Sequence, residues 1–135
     1  MKNDLELYKY INLTKMEELE IYNSFDDMKL NEKLLRGIYG YGYEKPSPIQ
    51  QKAIIPITSE KDIIVQAQSG TGKSATFIIG TLQKIDINLK NSQTIILSPT
   101  RELATQTQNV FKNISKYCDV SSSVTIGGTN ISDNI

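Results

Sequence analysis

The 135-residue chain contains no histidine, no tryptophan and one cysteine, and its 15 acidic side chains balance its 15 basic ones. Without histidine, the chain has no imidazole metal ligand and no Ser-His or Cys-His catalytic pair. The lone Cys118 excludes a disulfide within the chain and points to a reducing compartment. Zero net charge argues against a strongly basic nucleic-acid surface, although backbone N–H groups and helix ends can still bind a nucleic acid.

Long hydrophobic runs are also missing from the chain. The runs at 63–65 and 95–97 are only three residues long, whereas a bilayer-spanning helix needs about 20. The acidic start, residues 1–6, lacks the apolar stretch of a signal peptide. We therefore expect a soluble intracellular protein, in the cytoplasm or the nucleus, that does not contact a membrane.

Four patterns with helical spacing follow a charged stretch, residues 1–23, that is predicted to be an N-terminal arm with a capping box at 14–17. The first helix begins after Asn31, and the second opens at Ser47 and should kink or end at Pro56. Helices are also predicted from Lys73 and from about Thr100. The buried side of the last helix is predicted to consist of Leu103, Val110, Phe111 and Ile114.

Three β-branched segments alternate with the later helices, at 62–67, 94–98 and 122–126. Their apolar residues do not alternate with polar ones, as expected of strands that are covered on both faces. The order strand, helix, strand, helix, strand predicts an α/β fold in which a parallel sheet is flanked by helices.

Residues 67–74, Ala-Gln-Ser-Gly-Thr-Gly-Lys-Ser, fit a Walker A motif in which alanine replaces the first glycine. Gly70 and Gly72 let successive N–H groups point inward, and the following helix adds its positive N-terminal end. In this pattern Lys73 supplies a cation for the β- and γ-phosphates, and Ser74 offers a hydroxyl to Mg²⁺. The motif predicts a nucleoside triphosphate site; a turn that only joins a strand to a helix would not need the Lys-Ser pair.

Upstream of this loop, Gln50 and Tyr43 have the chemistry of an adenine site. A glutamine amide can donate to N7 and accept from the N6 amino group, whereas guanine reverses this requirement at O6. Tyr43 offers a flat surface for stacking. Ser47-x-x-Gln50 is also a capping box, in which Gln50 only holds the start of a helix. The residues alone leave both interpretations open.

Four segments in order resemble motifs of the DEAD-box RNA helicases. Phe25 with residues 42–50, Gly-Tyr-Glu-Lys-Pro-Ser-Pro-Ile-Gln, is similar to the Q motif, and 67–74 to motif I, where alanine is common in the first place. Residues 99–104, Pro-Thr-Arg-Glu-Leu-Ala, match motif Ia, and 127–128 match the short Gly-Gly motif. Within the family, the amino-acid sequence at 35–39 and 126–130 is most similar to that of the initiation-factor-4A group.

The resemblance implies part of a RecA-like P-loop NTPase domain, from residue 24 to residue 135, with ATP and Mg²⁺ as its cofactors. Gln50 would read adenine, Tyr43 would stack on the base, Lys45 would contact it and Phe25 would pack against its pocket. Lys73 would act in catalysis, and Ser74 would hold the metal. The cofactor-binding residues that the resemblance implies are Phe25, Tyr43, Lys45, Gln50, Ser69, Gly70, Thr71, Gly72, Lys73 and Ser74.

The resemblance also implies RNA contacts, made to the backbone of the strand without sequence preference, at Pro99, Thr100, Arg101, Gly127 and Gly128. A helix N-terminus next to an arginine binds phosphate well. Without the resemblance, a solvated helix turn and a simple glycine bend would explain the same residues. Scaffold proteins of the initiation-factor-4A group are further implied partners, and the oligomeric state is left open.

The Asp-Glu-Ala-Asp segment of the family does not occur in the sequence. Phosphoryl transfer needs an acidic residue for the metal and a group that positions water. We therefore predict that this chain alone has no appreciable ATPase or unwinding activity. We expect a truncated first RecA-like domain of an RNA helicase, marginally stable or self-associating; the alternative is a non-catalytic nucleotide- or RNA-binding fragment that acts as a decoy or scaffold. The missing Asn-Lys-x-Asp motif argues against a GTPase, and the Q motif against a kinase.

Overall fold

The computed structural model describes residues 20–59 and 62–128, so most of the predicted N-terminal arm and its capping box lie outside the described residues. All four predicted helices are present and begin where the sequence places them. They are α1, Glu32–Tyr41; α2, Pro48–Thr58; α3, Lys73–Lys84; and α4, Arg101–Ile114, with 3-10 turns at Asp26–Met28 and Ser115–Tyr117. No helix in this part of the chain combines the length and apolarity needed to cross a membrane.

Local chemistry sets most of the helix ends. The side chain of Asn31 accepts a hydrogen bond from the Lys33 N–H at 2.9 Å, and Thr100 caps α4 by accepting from the Leu103 N–H at 3.2 Å. Gly42 ends α1 with φ +103°, the left-handed conformation that favours glycine. Pro56 does not end α2, because the helix continues to Thr58.

The helices enclose one apolar core and approach each other closely at two glycines. A Cβ placed on Gly37 of α1 would lie 1.8 Å from the carbonyl oxygen of Ile114 in α4. On α3, a Cβ at Gly80 would lie 2.5 Å from the side chain of Ile57 in α2. The absence of these side chains therefore sets the spacing of the helix pairs. The core consists of Phe25, Met28, Leu30, Leu34, Ile38, Ile54, Ala75, Ile78, Ile79, Leu82, Phe111 and Ile114.

The buried face of α4 is narrower than the sequence predicts. Phe111 and Ile114 are buried, and Val110 is partly buried against the core. Leu103, predicted on the same face, is 43% exposed. Leu103 lies in the first turn of α4, about two turns before the buried Phe111.

The predicted parallel sheet is not formed among the described residues. The segments 62–67, 94–98 and 122–126 are irregular, and no ladder of backbone hydrogen bonds joins them. Several of their apolar side chains face solvent, with Ile64 70%, Ile95 83% and Leu97 90% exposed, whereas Ile96 packs partly against the core. A strand forms only when a neighbour supplies partners for its N–H and C=O groups. Among the described residues, each segment has the composition of a strand but lies beside no other strand. The structure therefore does not contain the paired sheet that the sequence predicts.

Candidate functional site

The phosphate loop leads directly into α3. Gly70 and Gly72 have φ values of +78° and +91°, which confirms that the backbone curls through the left-handed region at both glycines. Gly72 is the N-cap of α3 and offers no side chain to the first helical N–H groups. These N–H groups, together with the helix dipole, form an anion-binding end.

Lys73 folds its side chain back over the loop. Its Nζ donates hydrogen bonds to the carbonyl oxygens of Ala67 and Gln68, both at 2.5 Å. The Thr71 hydroxyl also donates to the Gln68 carbonyl, at 2.7 Å. The ammonium group therefore lies on the inner rim of the loop, where phosphate oxygens would offer stronger, charge-assisted hydrogen bonds than neutral carbonyls do.

The start of α2 packs directly on the phosphate loop. The Ser47 hydroxyl donates to the carbonyl oxygen of Thr71 at 2.8 Å. Gln50 is 2% exposed and lies so close that a Cβ on Gly72 would be 2.8 Å from its Nε2. Gln50 therefore lies next to the loop that carries Lys73. Its contact residue in that loop, Gly72, is 22 positions away in the sequence.

The capping interpretation of Gln50 is correct in this structure. Its Oε1 accepts a hydrogen bond from the Ser47 N–H at 2.8 Å, and Ser47 is the N-cap of α2. Its Nε2 is directed to Gly72. The role of Gln50 as the adenine reader stays a prediction. The direct bond from Ser47 to Thr71, which the sequence analysis did not anticipate, has no local sequence pattern because it spans 24 residues.

The two aromatic residues assigned to the adenine pocket differ in burial. Tyr43 is partly buried, with its ring 5.0 Å from that of Tyr41. Burial raises the pKa of its hydroxyl, and the neighbouring Tyr41 adds a smaller effect in the same direction. Phe25 is fully buried and packs edge-on against Tyr39 with ring centroids 6.2 Å apart. In this structure Phe25 supports the core and α1, and its contact with a base stays a prediction. Lys45 is exposed.

The residues assigned to RNA lie together. The guanidinium of Arg101 covers the glycine pair, because a Cβ on Gly127 would be 3.3 Å from its Nη2 and one on Gly128 would be 3.5 Å from its Nη1. Gly128 has φ +93°. Pro99 and Thr100 are exposed just before α4. The first turn of α4, an arginine and a glycine turn therefore form one exposed surface.

A metal ion would have few protein ligands here. Among the described residues, no group of three histidine, cysteine, aspartate or glutamate side chains could hold a metal. Ser74 lies in the first turn of α3 and is partly exposed. One hydroxyl oxygen fits Mg²⁺ only when phosphate oxygens and waters complete its octahedral shell.

A groove of about 650 Å³ lies beside Arg101 and was not anticipated from the sequence. It runs along α4, with Tyr41 and Ile126 contributing to its walls. The available pattern was the helical spacing of three amides at 106, 109 and 113. The residues that line the groove are Tyr41, Arg101, Glu102, Thr105, Gln106, Asn109, Val110, Asn113 and Ile126.

Comparison with known proteins agrees with the resemblance seen in the sequence. Residues 47–135 match the family model described as DEAD/DEAH box helicase. Eukaryotic initiation factor 4A of Drosophila melanogaster is 58% identical over 115 residues, which cover 85% of this chain and 28% of that protein. The ATP-dependent RNA helicase fal1 of Schizosaccharomyces pombe is 50% identical over 130 residues, which cover 96% of this chain and 33% of that protein. The chain therefore spans about a third or less of these relatives.

Solved structures give the same fold class. Dbp5 of S. cerevisiae, bound to RNA and ADP BeF3, superposes with a TM-score of 0.72 at 33% identity, over 82% of this chain and 30% of that one. A DEAD box protein from Methanococcus jannaschii has the same TM-score at 31% identity, over 84% of this chain and 31% of that one. The α/β fold class, that of a RecA-like domain, is thus shown by the match, while the sheet itself is not formed in the described residues.

Proposed function

Because the chain belongs to the DEAD/DEAH box helicase family, we propose that it is the ATP-binding part of an RNA helicase of the initiation-factor-4A type. The observation that carries this proposal is the joint between α2 and the phosphate loop. Ser47 bonds to Thr71, and Gln50 contacts Gly72, next to Lys73. A nucleotide whose phosphates occupy the loop would therefore bring its base within reach of the start of α2.

Adenine recognition would follow from the amide of Gln50. Its Oε1 is engaged by the Ser47 N–H, but a carbonyl oxygen has a second lone pair, and Nε2 has two donors. A small movement of the base or the amide would let Nε2 donate to adenine N7 while the helix cap is kept. Guanine places an acceptor where adenine has its amino group, so it would pair less well with the same amide.

Phosphates would be bound by Lys73, the loop amides and the N-terminus of α3. The ammonium would exchange its two carbonyl partners for phosphate oxygens, with gain from the opposite charges. Mg²⁺ would take the Ser74 hydroxyl as its protein ligand, and when bound it would neutralise charge on the phosphates. Ser69 and Thr71 lie in the same loop and would border the phosphates.

RNA would bind at the surface of Arg101, Gly127 and Gly128. The related Dbp5 has been observed bound to RNA and ADP BeF3. The N-terminus of α4 and the guanidinium would contact phosphates, which carry no sequence information, so binding would be independent of sequence. The whole helicase would remodel RNA with ATP hydrolysis in the cytoplasm or the nucleus, together with scaffold proteins, whereas this chain alone would only bind.

The adenine assignment is tested by competition between ATP and GTP for the 135-residue chain and its Gln50→Glu variant. Glutamate keeps the oxygen that caps α2 but cannot donate to N7. We expect ATP to compete about tenfold better than GTP in the unchanged chain. A factor of this size corresponds to the net free energy of about one hydrogen bond between uncharged groups. In Gln50→Glu the loss of the donor to N7, which both purines carry, should weaken the binding of both nucleotides, while the retained oxygen keeps the preference for ATP. Gln51→Ala, which removes the neighbouring amide, should change neither the affinity nor the preference. Equal competition by both nucleotides in the unchanged chain would contradict the assignment.

A further inference from the structure

A buried threonine in the first turn of α3 is not among the residues assigned to the nucleotide. Thr76 is 1% exposed and lies three positions after Lys73. Its hydroxyl donates a hydrogen bond to the carbonyl oxygen of Gly72 at 2.9 Å, and its backbone N–H donates to the same oxygen at 3.0 Å. One residue therefore supplies two donors to a single carbonyl at the point where the phosphate loop becomes a helix.

The hydrogen bond from the hydroxyl is not an automatic consequence of a threonine in a helix. A helical threonine can turn its hydroxyl back to the carbonyl four residues earlier, but it divides its population between two rotamers. Thr81 of the same helix is partly buried, and in the part of the chain that the structure describes its hydroxyl forms no hydrogen bond. A buried hydroxyl without a partner is costly, and Thr76 finds its partner in the phosphate loop.

The carbonyl of Gly72 lies at a part of the backbone that needs a restraint. Gly72 is the N-cap of α3, with φ +91°, and it makes no side-chain cap. Without a Cβ, glycine adopts many backbone conformations, and helices fray at their ends. The two hydrogen bonds from Thr76 hold the peptide unit between Gly72 and Lys73 in one orientation, because a peptide unit is planar and moves as a whole.

The orientation of this peptide unit sets the direction of the Lys73 N–H. The described residues contain no cis peptide bond, and in a trans peptide unit the C=O of one residue and the N–H of the next point in opposite directions. The Gly72 carbonyl points into α3, toward Thr76, so the Lys73 N–H points out of the N-terminal end of the helix, where an anion binds. Hydrogen bonds accepted by the carbonyl also polarise the peptide unit and make its N–H a stronger donor.

The preceding peptide unit is held in the same way from another helix. The Ser47 hydroxyl donates to the Thr71 carbonyl at 2.8 Å, which fixes the direction of the Gly72 N–H. Hydroxyl groups at the starts of α2 and α3 therefore hold the two peptide units that flank Gly72. We propose that Thr76 is a positioning residue, whose hydroxyl orients the Lys73 N–H toward the phosphates of the nucleotide. This inference rests on the proposed nucleotide-binding function.

The test compares Thr76→Ser with Thr76→Ala in the 135-residue chain. Both variants lose the threonine methyl group, and Thr76→Ser keeps the hydroxyl, so the pair isolates the bond to Gly72. In isothermal titration calorimetry, Thr76→Ala should bind Mg-ATP about threefold more weakly than Thr76→Ser, near the lower end of the range for one net hydrogen bond. Thr76→Ser should bind like the unchanged chain. The control Thr81→Ala removes a hydroxyl farther along α3 and should leave the affinity unchanged.

A second ligand separates positioning from a general loss of structure. Adenosine carries the base and the ribose but no phosphate, so it should bind Thr76→Ser and Thr76→Ala equally in an NMR titration. Equal affinity of the two variants for Mg-ATP overturns the positioning role and leaves the nucleotide site intact. An equal loss for adenosine and Mg-ATP in Thr76→Ala also overturns it, because the fold would then be damaged. If the unchanged chain binds neither ligand, the proposed nucleotide site is wrong, and the positioning role with it.

The hydrogen bond itself can be measured in the unchanged chain. A buried hydroxyl that donates to a carbonyl is protected from water, so the Thr76 hydroxyl proton should give its own NMR resonance. A resonance that is lost through rapid exchange with water would overturn the hydrogen bond, and with it the positioning role.

Discussion

The helical body and the three irregular segments contain similar aliphatic residues, but these residues differ in burial. In α3, Ile78 and Ile79 are completely buried, whereas Ile95 and Leu97 in the segment 94–98 are 83% and 90% exposed. A helix satisfies its backbone within four residues and needs only one apolar face covered. A strand needs a neighbour along its whole length. The contrast shows that local sequence patterns are sufficient to form the helices of the body but not to form strands in the three segments.

The largest expected effect separates the two regions directly. Replacing Ile78 by alanine should lower the free energy of unfolding by about 2–5 kcal/mol, because it leaves a cavity in the core. Leu97→Ala, a matched loss of aliphatic surface, should change it by less than about 0.5 kcal/mol because that side chain faces solvent. Urea unfolding followed by circular dichroism measures both. A comparable loss in Leu97→Ala would mean that the segment 94–98 is packed.

The next effect concerns the packing of α1 on α4. Gly37→Ala should destabilise the chain by about 1–3 kcal/mol, because its Cβ would lie 1.8 Å from the Ile114 carbonyl oxygen and force the helices apart. Gly40→Ala is the control in the same helix, with its nearest contact 3.7 Å away at Tyr117. It should stabilise the helix by up to about 1 kcal/mol. Thermal unfolding distinguishes them; if both variants are stabilised, the close contact between α1 and α4 is refuted.

A smaller effect is expected where the body meets the phosphate loop. Gly72→Ala should cost about 1–2 kcal/mol in backbone strain at φ +91°, and should also displace Gln50. Gly70→Ala carries the same kind of strain at φ +78° but meets nothing within 4 Å. Fluorescence titration with ATP should therefore show the greater loss of affinity in Gly72→Ala. Equal losses would indicate that the contact with Gln50 is unimportant.

The smallest effect lies at the exposed ion pair of Lys33 and Asp119. The hydrogen bond from Lys33 and its charge lower the pKa of the Asp119 carboxyl. The stabilisation is present above the unfolded aspartate pKa, about 3.9, and is lost as the pH falls through the lower folded value. Asp119→Asn should thus make the melting temperature fall less steeply between pH 5 and pH 3, and Asp62→Asn should not. An unchanged slope in Asp119→Asn would show that the pair contributes nothing.

Sequence patterns predicted the elements whose cause is local. The cap at Asn31, the proline start of α2 and the glycines of the phosphate loop each depend on a few neighbouring residues, and each is present. The strands were predicted from β-branched runs and from their alternation with helices, neither of which specifies the partner of a given strand. Their pairing is non-local, so the runs at 62–67, 94–98 and 122–126 predicted a sheet without specifying which strands would lie side by side.

The candidate site divides in the same way. Lys73 and Gly72 were found because phosphate loops have a fixed spacing. The contact of Gln50 with Gly72 and the hydrogen bond from Ser47 to Thr71 join segments that are distant in the sequence. Neither segment contains a pattern that predicts its contact with the other. The capping role of Gln50 was visible in the sequence because it spans three residues. The groove along α4 depends on the packing of Tyr41 and Ile126 beside the helix, which no local pattern predicts.

The central claim is that the phosphate loop and the start of α2 hold one nucleotide together. Amide hydrogen exchange of the 135-residue chain, with and without Mg-ATP, tests this most directly. The account predicts slower exchange at residues 68–76 and also at 47–51 when Mg-ATP is added, with no change in the Lys73→Ala variant. Protection that is absent from either segment, or that persists in Lys73→Ala, would contradict it.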